Sequence, residues 1–491
     1  MAARLSVTLL VAALAIAPGL VRAQSQSPSK DATTTELKDE ITRLQSQLRE
    51  QEALLQSLQQ RLEAVEATRL PQQDATTPTP TPTPTSTPPP TSVASTDAEQ
   101  HAPTSRIHRP PSALPAVEEP PTEGYVRLGD SGNLLKLDVV AQLDMMFDDK
   151  LLPDQDLFIP ANIPVQGDPF FDSDMQSNLS ARQSIVRMDF RRDTPLGVLK
   201  VVYKNNFFGD GQDMGFNLQA LYGELEAPHY TLLAGYHLSA FTDIDVFPNT
   251  LDYEGPNSFT FKYTPQVRWS PTLWRSGESQ LTLPLSVEKP DADIAVIGDY
   301  APYSRWPDLV IGLRYATPDW HVQWANLLRD LAVQSAIDDR TRTTEAYATQ
   351  LTFAAAIFGD DSVQGWASWG KGYANFLQDI TGFGLDAAFN TSLELEATDA
   401  YAWGMGYTHS WNDTMSSSAS YGFLRLNPDA NVLIDPASPE STYYASLNFA
   451  WQFSERAMLG AEWLWGRKED LAGATGEAQR LQMTLRYDLN P

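Results

Sequence analysis

The feature that most limits what this chain can fold into is a strict alternation of apolar and polar residues held over ten positions or more. From Arg480 to Leu489, Leu481, Met483, Leu485, Tyr487 and Leu489 alternate with Arg480, Gln482, Thr484, Arg486 and Asp488. Leu135, Leu137, Val139, Ala141, Leu143, Met145 and Phe147 alternate in the same way with Lys136, Asp138, Gln142, Asp144 and Asp148. Tyr401, Trp403, Met405 and Tyr407 stand against Ala402, Gly404, Gly406 and Thr408, and Leu447, Phe449, Trp451 and Phe453 against Ser446, Asn448 and Gln452. Successive side chains of a strand point to opposite faces, so each stretch has one apolar and one polar face. Soluble sandwiches use strands of about five to six residues. Longer strands of this pattern belong to a barrel with lipid outside and water inside.

About sixteen such segments run from 134–149 to 477–489, with 257–270 as the sixth. Connections after even-numbered segments are tight, as at Ala227-Pro228 and Gly359-Asp360, whereas 150–179, 241–256, 290–304, 375–396 and 429–439 follow odd-numbered ones. Short periplasmic turns and long outer loops are the pattern of outer-membrane barrels. The expected fold is therefore an all-β transmembrane barrel of about 16 antiparallel strands over residues 122–491. All twelve Trp lie between Trp269 and Trp465, several near strand ends (Trp320, Trp324, Trp411, Trp463, Trp465), as an aromatic girdle at the lipid interfaces requires.

Totals alone would mislead. The 491 residues carry a net charge of −27 and a mean hydropathy of −0.32, which suggests a soluble acidic protein. A barrel with half its strand residues facing water gives the same average. The acidic balance does argue against a nucleic-acid partner, and the absence of Cys excludes disulfides and thiolate metal sites. No motif calls for a cofactor.

The N-terminal third is organised differently. Arg4, the apolar run Leu5 to Ala17 and Val21-Arg22-Ala23 before Gln24 read as a secretory signal peptide over 1–23. Leu37, Ile41, Leu44, Leu48, Leu55, Leu58, Leu62 and Val65 fall at alternating spacings of four and three, predicting an oligomerising periplasmic coiled coil over 35–70. Residues 71–121 are dominated by Pro and Thr and form a spacer reaching about 150 Å at most. The extension is thereby placed to touch the cell wall.

With apolar faces on lipid, the opposite parity lines the lumen. It offers Arg187, Lys200, Lys204, Lys262, Arg268, Arg314 and Arg486 as candidate pore-lining cations, against fewer acids. Lys200 and Lys204, with Arg187 on the neighbouring strand, form a basic ladder; scattered charges paired with acids are the plain alternative. Connection 241–256 carries Asp243, Asp245, Asp252 and Glu254 among three aromatics. Folded inward as a constriction loop, it would set these acids against the basic wall. An acidic outer loop and a calcium site on the same four carboxylates are the other readings.

Phe158-Ile159-Pro160-Ala161-Asn162-Ile163-Pro164, Ala181-Arg182-Gln183-Ser184, Ala220-Leu221-Tyr222-Gly223-Glu224, Leu251-Asp252-Tyr253-Glu254-Gly255-Pro256 and Pro265-Gln266-Val267-Arg268 resemble the DcaP-like outer-membrane porins, in order over most of residues 124–491. The resemblance implies a sixteen-stranded, homotrimeric porin in the outer membrane of a Gram-negative bacterium, passing small anions such as dicarboxylates, with a periplasmic N-terminal coiled coil. This chain departs from the pattern at Ile185, where the family tends to carry a basic residue, and in ending Tyr487-Asp488-Leu489-Asn490-Pro491 in place of a terminal aromatic.

Three functions follow for testing: a passive channel for small anions, not an enzyme; a tether from the outer membrane to the cell wall through coiled coil and spacer; and a hydrolase built on His237 and Ser239, where the imidazole would take the proton of a serine nucleophile.

Overall fold

The structure is a computed structural model that describes residues 124–129, 132–209 and 214–489. The signal peptide, coiled coil and spacer lie outside the described residues. The rest forms sixteen strands: β1 (Asn133–Asp148), β2 (Gln176–Ser180 and Ile185–Thr194), β3 (Gly197–Gly209), β4 (Gly215–Ala227), β5 (Tyr230–Leu238), β6 (Tyr263–Ser276), β7 (Ser279–Thr282 and Leu285–Glu288), β8 (Asp308–Ala316), β9 (Trp320–Ser335), β10 (Thr341–Ile357), β11 (Asp361–Lys371), β12 (Asp399–Asn412), β13 (Met415–Asn427), β14 (Pro439–Ser454), β15 (Ala457–Asp470) and β16 (Thr475–Asp488). Each pairs antiparallel with the next, and β16 returns to β1 with Asp488 opposite Val140 and Arg480 opposite Asp148. Closure leaves no open edge, the condition for a sheet to cross lipid.

Alternation decides the two faces. Leu447, Phe449, Trp451 and Phe453 on β14 are exposed on the outside, while Ser446 and Asn448 between them are buried inside. Trp320, Trp324, Trp411 and Trp463 are likewise exposed on the outer face. Leu447 stands midway along β14, where a charge would sit deep in hydrocarbon. Leu447→Arg is expected to cost about 2–4 kcal/mol of barrel stability, read as a lower urea midpoint in lipid vesicles; an unchanged midpoint would mean that this face does not meet lipid.

Connections on one side of the barrel are short throughout, and the long ones lie on the other, as the sequence led us to expect. One boundary moved. The sixth strand was expected at 257–270 but spans Tyr263–Ser276, because Asn257, Ser258, Phe259 and Thr260 are drawn into the lumen and fully buried there. Connections 149–175, 239–262 and 372–398 all fold inward, with a small sheet of Ile294–Ala295, Ala387–Phe389 and Leu395–Ala397 joining two of the long connections.

Candidate solute pathway

Connection 239–262 crosses the lumen and is held at three places. At its start, Asp243 accepts from Arg314 of β8 (2.8 Å), meets His321 of β9 (3.1 Å) and accepts from the Thr352 hydroxyl of β10, while Arg314 also donates to Asp245 at 2.6 Å. At its tip, the N–H groups of Leu251 and Asp252 donate to Glu462 of β15 at 2.8 and 2.7 Å. Beyond the tip, Asn206 of β3 and Gln219 of β4 each donate to the Tyr253 hydroxyl at 2.8 Å. Contacts on β3, β4, β8, β9, β10 and β15 fix a loop that spans the barrel.

One half of the lumen is filled. Phe241, Tyr373, Phe376, Leu377, Ile380 and Leu385 from the inward connections pack on Val310, Leu327, Ala348, Ala402, Leu424 and Leu426 of β8, β9, β10, β12 and β13. Leu152, Phe158 and Ile163 pack on Tyr444, Leu464 and Ala478 of β14 to β16. Arg329 of β9, fully buried, binds Asp308 at 3.1 Å and Asp386 at 2.8 Å and donates to the Gly372 and Asp291 carbonyls, joining wall and loops. Asp379 accepts from the Ala161 N–H at 3.0 Å and from the Thr442 hydroxyl at 2.6 Å, tying two inward connections to β14.

The remaining wall, β1 to β7 and β16, is polar and charged. Arg187 and Lys204 are direct partners across β2 and β3, and Arg191 stands opposite Lys200. Arg187 and Arg191 share Asp189 at 3.4 and 3.3 Å. Lys200 is engaged by Glu226 and lies 3.8 Å from Glu224. Arg486 binds Asp488 at 2.8 Å. Among the described residues Lys204 forms no ion pair, and the charges acting on it are those of Arg187 and Arg486; Arg268 donates to Gln266 at 2.9 Å and to the Leu238 carbonyl, with the carboxylates of Glu288 and Glu224 acting on it from farther off. A cavity of about 130 Å3 lies beneath the loop tip, between Leu251, Gln142, Ser416, Thr484 and Arg486.

The candidate residues thus divide. Arg187, Lys200, Lys204, Arg268 and Arg486 lie on the polar side. Arg314 is taken by Asp243 and Asp245 on the far side, and Lys262 lies in the connection before β6, 3.3 Å from Asp291 and over the Phe376 ring. The loop acids do not face the ladder as one group. Asp243 and Asp245 cluster with His321, but Arg314 already holds both carboxylates, and Asp252 and Glu254 sit elsewhere. His237 Nδ1 meets the Leu238 carbonyl, and Ser239 Oγ accepts from the Phe241 N–H at 3.0 Å, so neither partners the other.

Burial alone would raise the Asp243 carboxyl, but Arg314, His321 and Thr352 outweigh it and hold it well below the usual range. Burial pushes Asp252 up to about 6, against the opposing Arg480 charge. Burial likewise pushes Asp379 up to about 7, opposed by Thr442, Ala161 and Lys468. Glu254, beside Asp252, Asp379 and Asp154, is raised further still. An acid raised in the docked state stabilises docking below its ordinary value of 3.8 and loses that contribution as pH climbs to the raised value. Loop docking should therefore weaken from about pH 4 to about pH 7. The frequency of transient conductance steps should rise from pH 5 to pH 8; a flat profile would show these carboxylates to be ionised throughout.

Sequence reading missed Arg329, His321, Glu462 and Asp379. A signal was present for the packing around them. Gly422 and Gly460 occupy inward positions on β13 and β15, and a Cβ there would lie 2.3 Å from Asn257 Oδ1 and 2.5 Å from the Leu251 side chain. Glycine at an inward strand position marks close approach by another segment.

A family model described as DcaP outer membrane protein matches residues 162–489. No curated protein matches. Among solved structures, the outer membrane channel DcaP of Acinetobacter baumannii is similar with a TM-score of 0.61 at 16% identity, over 73% of this chain and 98% of that one, a likeness of fold. An anion-selective porin from Comamonas acidovorans is more loosely similar, with a TM-score of 0.47 at 10% identity over 73% of this chain and 100% of that one.

Proposed function

The chain belongs to the DcaP outer membrane protein family, and from that premise we propose that its barrel is a passive channel for small anionic solutes such as dicarboxylates. The observation that carries this reading is the charge of the open side around Lys204, which forms no ion pair among the described residues and has the charges of Arg187 and Arg486 acting on it, with Arg268 on the same wall. Filling the other half of the lumen with loops sends any solute along this wall. Charges lining a narrow level set the selectivity of a pore.

A homotrimer is part of the same proposal. Trp anchors strands at lipid interfaces, yet all twelve Trp lie on the stretch from Trp269 in β6 to Trp465 in β15. The outer face of β16 and β1 to β5 has none, which suits contact with neighbouring subunits in place of lipid. The N-terminal extension is assigned to the periplasm, in reach of the cell wall.

Purified protein in planar bilayers under a salt gradient should give a reversal potential of anion preference, and a small dicarboxylate should reduce chloride current by competing for the ladder. A cation-selective reversal potential would overturn the proposal.

A further inference from the structure

The outer surface of the barrel is not uniform along its height. On β11 to β16 the outward positions carry Lys or Arg at three places, Lys371, Arg425 and Arg467, and all three stand near the ends that lead into the outer connections. Lys371 shares the face of the exposed Trp369, Arg425 alternates with the buried Leu424 and Leu426, and Arg467 continues the row of the exposed Trp463. Toward the periplasmic ends the same face carries Phe449, Trp451, Phe453, Leu485 and Tyr487, all exposed, and no Lys or Arg.

Strand register puts the three cations at one level. Lys371 pairs with Asp399 and that with Asn427, two residues beyond Arg425. Arg425 pairs with Ser441 and that with Glu469, two residues beyond Arg467. The row thus drops two residues for every two strands crossed, about 7 Å along the strand against about 10 Å across it, a slope of roughly 35°. Barrel strands tilt by roughly 35–45°, so the row runs level around the barrel.

Each cation has an aromatic cross-strand partner on the outward face: Tyr347 for Lys371, Tyr401 for Arg425 and Tyr443 for Arg467. Interfacial aromatics mark the boundary between hydrocarbon and headgroups, so the basic row stands at headgroup depth in the outer leaflet. The side chains of Lys371, Arg425 and Arg467 are 39%, 43% and 39% exposed. Lys371 lies 3.2 Å from Asp399, Arg425 meets Glu440 through a single guanidinium nitrogen, and Arg467 is 3.9 Å from Glu477, too far for a hydrogen bond. Exposed pairs of this kind contribute little stability, so a more highly charged anion displaces the carboxylates readily. Arg recognises phosphate through its fork of N–H donors, and Lys as a point charge.

We propose that Lys371, Arg425 and Arg467 form a belt that binds the glycan phosphates of lipopolysaccharide, the phosphorylated saccharolipid of the outer leaflet. Charge and depth select this partner. A zwitterionic phospholipid offers one phosphate balanced by its own amine, whereas the saccharolipid presents several phosphates at one level. The belt lies on the Trp-bearing side of the barrel, the side left to lipid. It stands apart from the channel reading, because these side chains face away from the lumen.

The test compares the full chain in detergent with K371Q/R425Q/R467Q, reading the binding of fluorescent lipopolysaccharide by anisotropy. The triple variant should bind about tenfold more weakly for the loss of its charge-assisted contacts, and lipopolysaccharide stripped of phosphate should bind both proteins equally weakly. A second variant, D399N/E440Q/E477Q, uncovers the cations and should bind about threefold more tightly, since like charge beside each phosphate is gone. That arm keeps the inference testable however well the first variant folds. Equal affinity of all three proteins would overturn it. So would competition by phosphatidylglycerol as effective as that by unlabelled lipopolysaccharide, since any anionic headgroup would then suffice. A cation-preferring reversal potential would remove the channel reading and leave the belt untouched.

Discussion

Replacing Arg187, Lys204 and Arg268 together by Gln is expected to abolish the anion preference of the channel, with the anion-to-cation permeability ratio falling on the order of tenfold or more. A unit charge acts on a solute ion about 7 Å away with roughly 2 kcal/mol at an effective dielectric constant near 20, and each 1.4 kcal/mol is a factor of ten. Three charges acting together exceed that threshold even after screening. Lys204 forms no ion pair among the described residues, so its removal strands no acid there, whereas loss of Arg268 takes one cation from near Glu288 and Glu224. Loss of Arg187 leaves Asp189 with Arg191 at 3.3 Å. The barrel should fold normally, and an unchanged reversal potential in a folded triple variant would sink the assignment of these residues to the conduction path.

The largest effect on the fold is expected from Arg329→Met. Arg329 is fully buried, as are its partners Asp308 and Asp386. Breaking a buried pair by removing one partner typically costs about 3–5 kcal/mol, because an uncompensated charge remains. Here two carboxylates are stranded, and connections 289–307 and 372–398 lose their common anchor. The temperature at which the folded barrel converts to the unfolded band on a gel should fall, and single-channel conductance should rise as the loops leave the lumen. Adding D308N and D386N to the Met variant should recover much of the stability, since the stranded charges are then gone. Wild-type stability and conductance in the single variant would show that this network does not hold the loops.

The two halves of the lumen explain which residues could be read in advance. On β1, β2, β3, β6 and β16 the inward face is largely polar, so Arg187, Lys204, Arg268 and Arg486 alternate with apolar neighbours and their direction is evident. On β9 the inward face meets the packed loops, and Ala325, Leu327 and Leu331 are as apolar as the lipid-facing Trp324 and Leu328. The alternation disappears there, and Arg329 cannot be placed on a face by pattern. Residues 257–262 failed for a related reason: Phe259 and Phe261 look like the start of a strand, but their rings pack on Trp366 and Tyr263. Lys262 was carried along with them and belongs to the loop network.

The sequence by itself determined the barrel, its sixteen strands and the side on which the long connections lie. These follow from local rules, since a period of two assigns faces without knowledge of any partner and turn residues mark each reversal. Only the tertiary structure decided that three connections fold inward, that Arg314 and Arg329 are spent on holding them, and that Lys204 forms no ion pair among the described residues. Pairings such as Ala161 with Asp379 or Leu251 with Glu462 join residues more than two hundred positions apart. No spacing along the chain encodes them, because they exist only once the barrel has closed and brought its far walls within reach of the same loop.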